Sequence, residues 1–82
     1  MDIEFDPTKD EANVAKHGVS LARATKLAGI IVVEDARFDE PRRLYGTIDG
    51  IAHCAAVTMR GNIVRIITLR RAHAKEMRRY GL

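Results

Sequence analysis

The centre of the chain, residues 43–69, reads RLYGTIDGIAHCAAVTMRGNIVRIITL. Asp49-Gly50 favours a type I′ turn, because both central residues of that turn need a positive φ. Arg60-Gly61-Asn62 marks a second turn, and the flanking segments are rich in β-branched and apolar residues. The pattern predicts a three-stranded antiparallel meander with strands at 43–48, 51–59 and 63–69.

Two short helices are predicted before the meander. Asp6-Pro7 begins the first, since aspartate caps free amides and proline fits the first helical position, and Gly18 ends it. Ser20 begins the second helix and Gly29 ends it. The apolar residues of this second helix at helical spacing are Leu21, Ala24, Leu27 and Ala28.

The remaining segments complete an α+β fold. Residues 30–33 (IIVV) are β-branched and predict a further strand, residues 35–41 a loop, and residues 72–80 a closing basic helix. We therefore expect one domain over residues 1–82. It has tandem N-terminal helices, a four-stranded, mainly antiparallel sheet and a C-terminal helix. The tandem helices are expected to cover one face of the sheet, and the C-terminal helix or a partner the other.

Composition excludes several classes of protein. The 82 residues are 46% hydrophobic and 30% charged, which is too apolar for a disordered tail. No apolar run approaches the ~18–20 residues of a membrane span, and the acidic start lacks the basic region of a signal peptide, so we expect a soluble, cytoplasmic protein that does not bind membranes. Cys54 is the single cysteine, which excludes an internal disulfide and a multi-cysteine zinc site, and its apolar neighbours predict a buried thiol. We expect no metal and no cofactor.

Charge divides the chain into two halves. Residues 1–41 hold 5 Lys/Arg and 9 Asp/Glu, whereas residues 42–82 hold 9 Lys/Arg and 2 Asp/Glu. The balances of −4 and +7 account for the net charge of +3. Eight of the nine basic residues in the second half are arginine, whose forked guanidinium suits phosphate. The polarity indicates a face that contacts nucleic acid, or alternatively a solvated basic helix face.

Alternation along the last predicted strand separates two arginines. Arg65 falls on one face with Ile63, Ile67 and Leu69, whereas Arg70 falls on the other with Val64, Ile66 and Thr68. Both faces are mostly apolar, so we expect Arg65 to pair or to reach the rim of the sheet. Arg65 either belongs to a functional site or lays its aliphatic stem along the apolar side chains while its guanidinium reaches water.

Two blocks of the sequence form a distinctive pattern. The first block is Phe5-Asp6, Lys9, Asn13 and residues 16–20 (KHGVS), and the second is residues 63–72 (IVRIITLRRA) followed by Glu76 and Tyr80. Together they resemble the BrnT family of bacterial type II toxins. The resemblance implies a RelE-like ribonuclease fold and a BrnA-like antitoxin partner with a ribbon-helix-helix DNA-binding region. The chain departs from the family at Leu21, where phenylalanine is usual, and at Leu69, where alanine is usual.

The resemblance implies an endoribonuclease, in which a 2′-hydroxyl attacks the neighbouring phosphate without a metal. This chemistry needs a base, cations for the developing charge and an acid for the leaving oxygen. His17 is the candidate acid or base, and the end of the first helix is expected to favour its protonated form; alternatively it caps the helix. His73 is a competing candidate, and His53 is expected to be structural.

Arg65 and Arg70 are the candidates for charge stabilisation, provided that a twist or bulge near residue 69 brings them to one site. Arg71 would rejoin the Arg65 face if the strand continues, and could replace Arg70. The other predicted RNA contacts are Arg43, Lys9, which is alternatively a solvated helix lysine, and Tyr80, which stacks on a base or, as we favour, packs on the sheet. Glu76 is expected to hold an arginine in place, with a general-base role secondary.

Two other functions fit the same basic half of the chain. A non-catalytic module would bind RNA or DNA as part of a repressor complex, and a scaffold protein would meet an acidic partner. RNA fragments that end in a cyclic phosphate distinguish the enzyme from the binding module. If the chain is the endoribonuclease or the binding module, an antitoxin is expected to cover the basic cleft. For the endoribonuclease, RNA, free or on the ribosome, is the expected substrate.

Overall fold

A five-stranded sheet with the order β1-β5-β4-β3-β2 forms the centre of the molecule. The structure is a computed structural model and describes residues 1–37 and 42–82. The strands are β1 (Ile3–Glu4), β2 (Ala28–Glu34), β3 (Arg42–Ile48), β4 (Ile51–Arg60) and β5 (Ile63–Arg71). The helices are α1 (Pro7–His17), a 3₁₀ helix (Leu21–Lys26) and α2 (Ala74–Tyr80).

The predicted meander is confirmed. Strands β3, β4 and β5 pair antiparallel in sequence order. Asp49 and Gly50, which connect β3 to β4, have φ values of 51° and 78°, as a type I′ turn requires. The second turn contains Gly61 with a φ of 60°.

The sheet has five strands rather than the four predicted. Ile3 and Glu4 pair in parallel with Val64 and Arg65 of β5. A two-residue strand carries no detectable alternation, so its sequence gave no signal. Because β1 ends at Glu4, the second half of β5 lies at the edge of the sheet.

Helix α1 begins and ends where its sequence predicts. The Asp6 carboxylate accepts a hydrogen bond from the Thr8 N–H at 2.8 Å, and Pro7 is the first helical residue. Gly18 adopts a left-handed φ of 73° and donates its N–H to the Val14 carbonyl at 2.8 Å.

The second predicted helix is shorter and of another type. Its buried residues, Leu21, Ala24 and Leu27, recur every three positions, which is the period of a 3₁₀ helix rather than of an α-helix. Ala28 already belongs to β2, and Gly29 has a φ of 61° at an irregularity in the pairing of β2 with β3. Gly29 therefore does not end a helix, and the strand predicted at 30–33 is longer than expected.

The hydrophobic core lies between one face of the sheet and the N-terminal segments. It comprises Leu21, Ala24, Leu27, Leu44, Ile48, Ala55, Val57, Ile66 and Leu69. We call this side of the sheet the core face and the opposite side, on which α2 lies, the α2 face.

The helix predicted at 72–80 begins only at Ala74, because β5 continues to Arg71. Of the loop predicted at 35–41, residues 38–41 lie outside the described residues.

A β-bulge in β5 reverses the predicted alternation. Ala56 pairs with Thr68, but Val57 pairs with Ile66, so Ile67 has no counterpart on β4. Beyond the bulge, Leu69 joins Ile66 on the core face. Arg65 and Arg70 therefore lie on the same face of the sheet, the α2 face, and the prediction of opposite faces is wrong.

Asn13 fastens α1 to the edge of β5. Its side-chain amide donates to the Leu69 carbonyl at 2.8 Å and to the Val19 carbonyl at 2.9 Å. Its side-chain oxygen accepts from the Leu69 N–H at 3.2 Å. The side chain thus supplies the edge of β5 with the hydrogen bonds that a neighbouring strand would make.

Within the described residues, no helix is long and apolar enough to cross a membrane.

Candidate active site

A polar cluster joins α2 to the sheet. Glu76 accepts two hydrogen bonds from the Arg70 guanidinium, at 2.8 and 3.1 Å, and a short one from the Tyr45 hydroxyl. The Tyr80 ring packs on the Tyr45 ring with 4.6 Å between centroids. Since no residue of α2 is fully buried, these contacts rather than a hydrophobic stripe hold the helix in place.

The start of α2 orients Glu76. His73 caps the helix, and Glu76 at the third helical position accepts the His73 N–H at 2.8 Å, which is half of a capping box. The capping bond turns the carboxylate back towards β5, where it meets Arg70. The His73 Nδ1 atom lies 3.5 Å from the Glu76 carboxylate.

Glu76 and Arg70 of the cluster are both charged at neutral pH. Hydrogen bonds from Arg70 are the largest cause that lowers the pKa of Glu76, to about 2. Burial, followed by the hydrogen bond to Glu76, raises the pKa of Tyr45, which therefore stays protonated. The bond with Glu76 also raises the pKa of Arg70. Arg70 is thus a permanently charged guanidinium in a fixed orientation.

A cationic cleft of about 750 Å³ opens beside the cluster. Its charged and aromatic lining residues are Arg43, Tyr45, His73, Lys75, Glu76, Arg78, Arg79 and Tyr80. Four of these side chains are lysine or arginine, whereas the single carboxylate already pairs with Arg70. The cleft therefore attracts anions. The Arg79 guanidinium lies 5.9 Å from the centre of the half-buried aromatic ring of Tyr80.

Arg65 lies on the same face but outside this cluster. It pairs in register with Thr58, and Arg70 pairs with Cys54, so four residues of β4, or about 13 Å, separate the two arginines. Arg65 donates instead to Glu4 at 3.3 Å near the rim of the sheet. The bulge anticipated near residue 69 is present, but it does not bring both arginines to one phosphate.

His17 and Lys9 border a separate groove. The groove has a volume of about 250 Å³ and lies between α1 and the bulge of β5, beside Lys16 and Thr68. Desolvation, followed by the positive charges of Lys16 and Arg70, lowers the pKa of His17. The helix end was expected to favour the protonated form; this prediction is wrong, because the neighbouring cations and burial act in the opposite direction. The backbone of Gly18 caps α1.

Arg71 points away from Arg70. The strand does continue to Arg71, but the bulge places this residue on the core face, in register with His53. It shares a shallow cleft there with His17 and His53, so it cannot replace Arg70. The His53 Nδ1 atom lies 2.7 Å from the Ile51 carbonyl, and the ring is buried, in agreement with a structural role.

Cys54 lies beneath the cluster and is buried. Desolvation is the largest cause that raises the pKa of its thiol. A protonated, enclosed thiol is a packing group, as the sequence predicts.

Tyr45 and Glu4 are the site residues that sequence reasoning missed. Tyr45 looks like an ordinary strand aromatic, and only the fold brings it to Glu76, 31 residues away. Glu4 belongs to the strand that was not predicted. Among the described residues, no group of three or more histidine, cysteine, aspartate or glutamate side chains could hold a metal ion.

Comparisons with known proteins identify relatives of the chain. The model of the family described as "Ribonuclease toxin, BrnT, of type II toxin-antitoxin system" matches residues 5–76. The fold is similar to the crystal structure of the Brucella abortus ribonuclease toxin BrnT, with a TM-score of 0.74 and 23% sequence identity. That match covers 89% of this chain and 97% of the Brucella chain. No curated protein matches the chain significantly.

Proposed function

The chain belongs to the BrnT family of ribonuclease toxins of type II toxin–antitoxin systems, and we propose that the cationic cleft at α2 is its endoribonuclease site. The observation that carries the proposal is the fixed Arg70 guanidinium, whose partner Glu76 lines a cleft in which four of the nine lining residues are lysine or arginine. Such a site suits the phosphate of an RNA backbone. We further propose that the fold is RelE-like.

The proposed reaction uses the RNA's own 2′-hydroxyl and no metal. The 2′-oxygen attacks the adjacent phosphorus, a base takes its proton, and the bond from phosphorus to the 5′-oxygen breaks. The leaving 5′-oxygen takes a proton, and a 2′,3′-cyclic phosphate remains on the other fragment. Arg70 stabilises the negative charge that grows on the phosphoryl oxygens, with Arg43 nearby in the cleft.

Glu76 serves as a positioning residue. A carboxylate whose pKa is about 2 is a poor base for a hydroxyl, and its charge would repel phosphate if it were not paired. The geometry instead supports the role of fixing Arg70, and the Tyr45 hydroxyl fixes Glu76 in turn.

Two histidines are candidates for the proton transfers. His73 lines the cleft itself. His17 lies across β5, and its lowered pKa keeps it mostly neutral at neutral pH, as a base requires. A His17→Ala and a His73→Ala variant, each measured for cleavage rate against pH, distinguish them: loss of the acidic limb of the profile identifies the base.

Membership in a type II toxin family implies an antitoxin. We propose a BrnA-like antitoxin with a ribbon-helix-helix region, which covers the cleft with acidic or helical segments and thereby stops cleavage. Free toxin would cut cytoplasmic RNA, with or without the ribosome, and arrest translation and growth.

The test is cleavage of single-stranded RNA by the purified chain in the presence of a chelator. Fragments that end in a 2′,3′-cyclic phosphate, and their disappearance in Arg70→Ala, are expected. The matched control is Arg42→Ala, which removes a strand arginine that pairs with Glu34 on the opposite face of the sheet. Tight RNA binding without any fragments would favour the non-catalytic binding module instead.

A further inference from the structure

A second group of basic side chains follows β5 away from the cleft. At its far end, Arg60 and Arg65 donate to the same oxygen of Glu4, at 3.2 and 3.3 Å. One carboxylate thus meets two guanidiniums, so Glu4 does not neutralise both of them. Each guanidinium has five N–H donors, and its bond to Glu4 uses one of them.

Helix α1 supplies cations between this end and Arg70. Lys9 and Lys16 border the groove beside Ile67 and Thr68, which lie between residues 65 and 70 along β5. Thr68 pairs with Ala56, so its side chain is on the α2 face together with both arginines. We call Arg60, Arg65, Lys9 and Lys16 the basic strip.

The strip is continuous with the cleft in charge and in position. Thr68, which borders the α1 groove, lies two residues from Arg70 along β5 and on the same face of the sheet, so the groove and the Arg70 cluster are neighbours. From Arg65 to Arg70 the distance is about 13 Å. A stacked nucleic-acid strand rises ~3.4 Å per nucleotide, so one strand bound at Arg70 reaches Arg65 within a few nucleotides.

Resting on the proposed function, we infer that the basic strip binds the backbone of single-stranded RNA on one side of the bond that is cut. Between the ends lie the small side chains of Ala56, Thr58 and Thr68 beside the larger Ile67, and we expect a strand to lie along this part of the sheet. The β-bulge is the feature that makes the strip possible, because without it Arg65 would face the core. Arg65 thus contributes substrate affinity and not charge stabilisation at the phosphate that reacts.

The test measures binding of 2′-O-methyl oligonucleotides of three and twelve residues, which cannot be cleaved because the attacking hydroxyl is blocked. Wild type should bind the 12-mer more tightly than the 3-mer. An Arg60→Ala/Arg65→Ala variant should lose roughly tenfold in affinity for the 12-mer, and its salt slope should fall by about 1.4, or ~0.7 for each lost phosphate contact. Arg42→Ala is the matched control, since it also removes a strand arginine paired with one glutamate.

Glu4→Gln provides a test with the opposite sign. Removal of the carboxylate releases both guanidiniums, so the 12-mer should bind severalfold more tightly than to wild type. Thermal unfolding checks that each variant folds. If the double variant does not fold, Arg60→Ala alone takes its place, because the Arg60 side chain is 65% exposed.

Equal affinities of the arginine variants and Arg42→Ala for the 12-mer, or weaker binding by Glu4→Gln, would overturn the inference. Binding is independent of cleavage here, so the two proposals fail separately. If the protein cuts no RNA but its affinity for the 12-mer still depends on the basic strip, only the catalytic proposal is rejected.

Discussion

Asn13 of α1 is hydrogen-bonded to both backbone groups of Leu69, the residue before Arg70. Its amide occupies the place of a neighbouring strand at the edge where β1 has ended. The link connects the N-terminal helix to the strand position that presents the candidate catalytic arginine. Since Asn13 is 5% exposed and Leu69 is fully buried, loss of these bonds leaves unpaired polar groups without water.

Asn13→Ala should lower the free energy of unfolding by about 2–4 kcal/mol, because several buried hydrogen bonds disappear. Urea unfolding measures the change. Val14→Ala is the control at the next position of the helix, where the side chain is exposed, and it should change stability by less than about 0.5 kcal/mol. Equal effects of the two substitutions would show that the Asn13 link contributes nothing.

Glu76 makes stability depend on acid. Its pKa is about 2 in the folded protein against 4.5 ordinarily, so its contribution is complete above pH 4.5 and is lost as pH falls towards 2. Glu76→Gln should cost about 1–2 kcal/mol at pH 7 and should lack this part of the acid dependence. Unfolding curves at several pH values test this, with Glu34→Gln, at an exposed ion pair, as control. A variant that keeps the full acid dependence would contradict the assignment.

Tyr45→Phe isolates the hydroxyl that Glu76 accepts. The ring still packs on Tyr80, but one donor to the carboxylate is lost, so unfolding should cost about 1–2 kcal/mol less. The pKa of Glu76 should rise, so the loss of stability below pH 4.5 should be smaller than in wild type and should be complete at a higher pH. Hydrogen exchange of the α2 amides should also become faster. Unchanged exchange would show that α2 does not depend on this bond.

Cys54 should be unreactive in the folded protein. Its burial and raised pKa predict that a thiol reagent at pH 8 reacts at least roughly tenfold more slowly with native than with urea-unfolded protein. The absorbance of the released thiolate reports both rates. Equal rates would mean that the α2 face opens readily to solvent.

Local signals predicted the elements whose causes are local. The Asp6 cap, the Gly18 end of α1 and the Asp49-Gly50 turn each depend on a few neighbouring residues, and all three are present. The second helix was recognised as a segment, but the spacing of Leu21, Ala24 and Leu27 was assigned to the wrong helix type.

The remaining features depend on distant pairing. Ile66 and Ile67 are both apolar, so no pattern in the sequence shows that a bulge interrupts the strand here, and the face on which Arg65 lies relative to Arg70 and Arg71 depends on that bulge. The sequence predicts that Glu76 contacts an arginine, but it does not show that the Tyr45 hydroxyl also donates a hydrogen bond to Glu76. The direction of the His17 pKa shift required knowledge of the cations packed around α1.

The central claim is that Arg70, held by Glu76 beside the α2 cleft, is needed to cut RNA. The most direct measurement induces wild type, Arg70→Ala and Arg42→Ala at equal soluble levels in cells and maps new 5′ ends in total RNA. Growth arrest with new ends in wild type and Arg42→Ala, and neither in Arg70→Ala, is the expected result. New ends that persist at the wild-type level in Arg70→Ala would contradict the account.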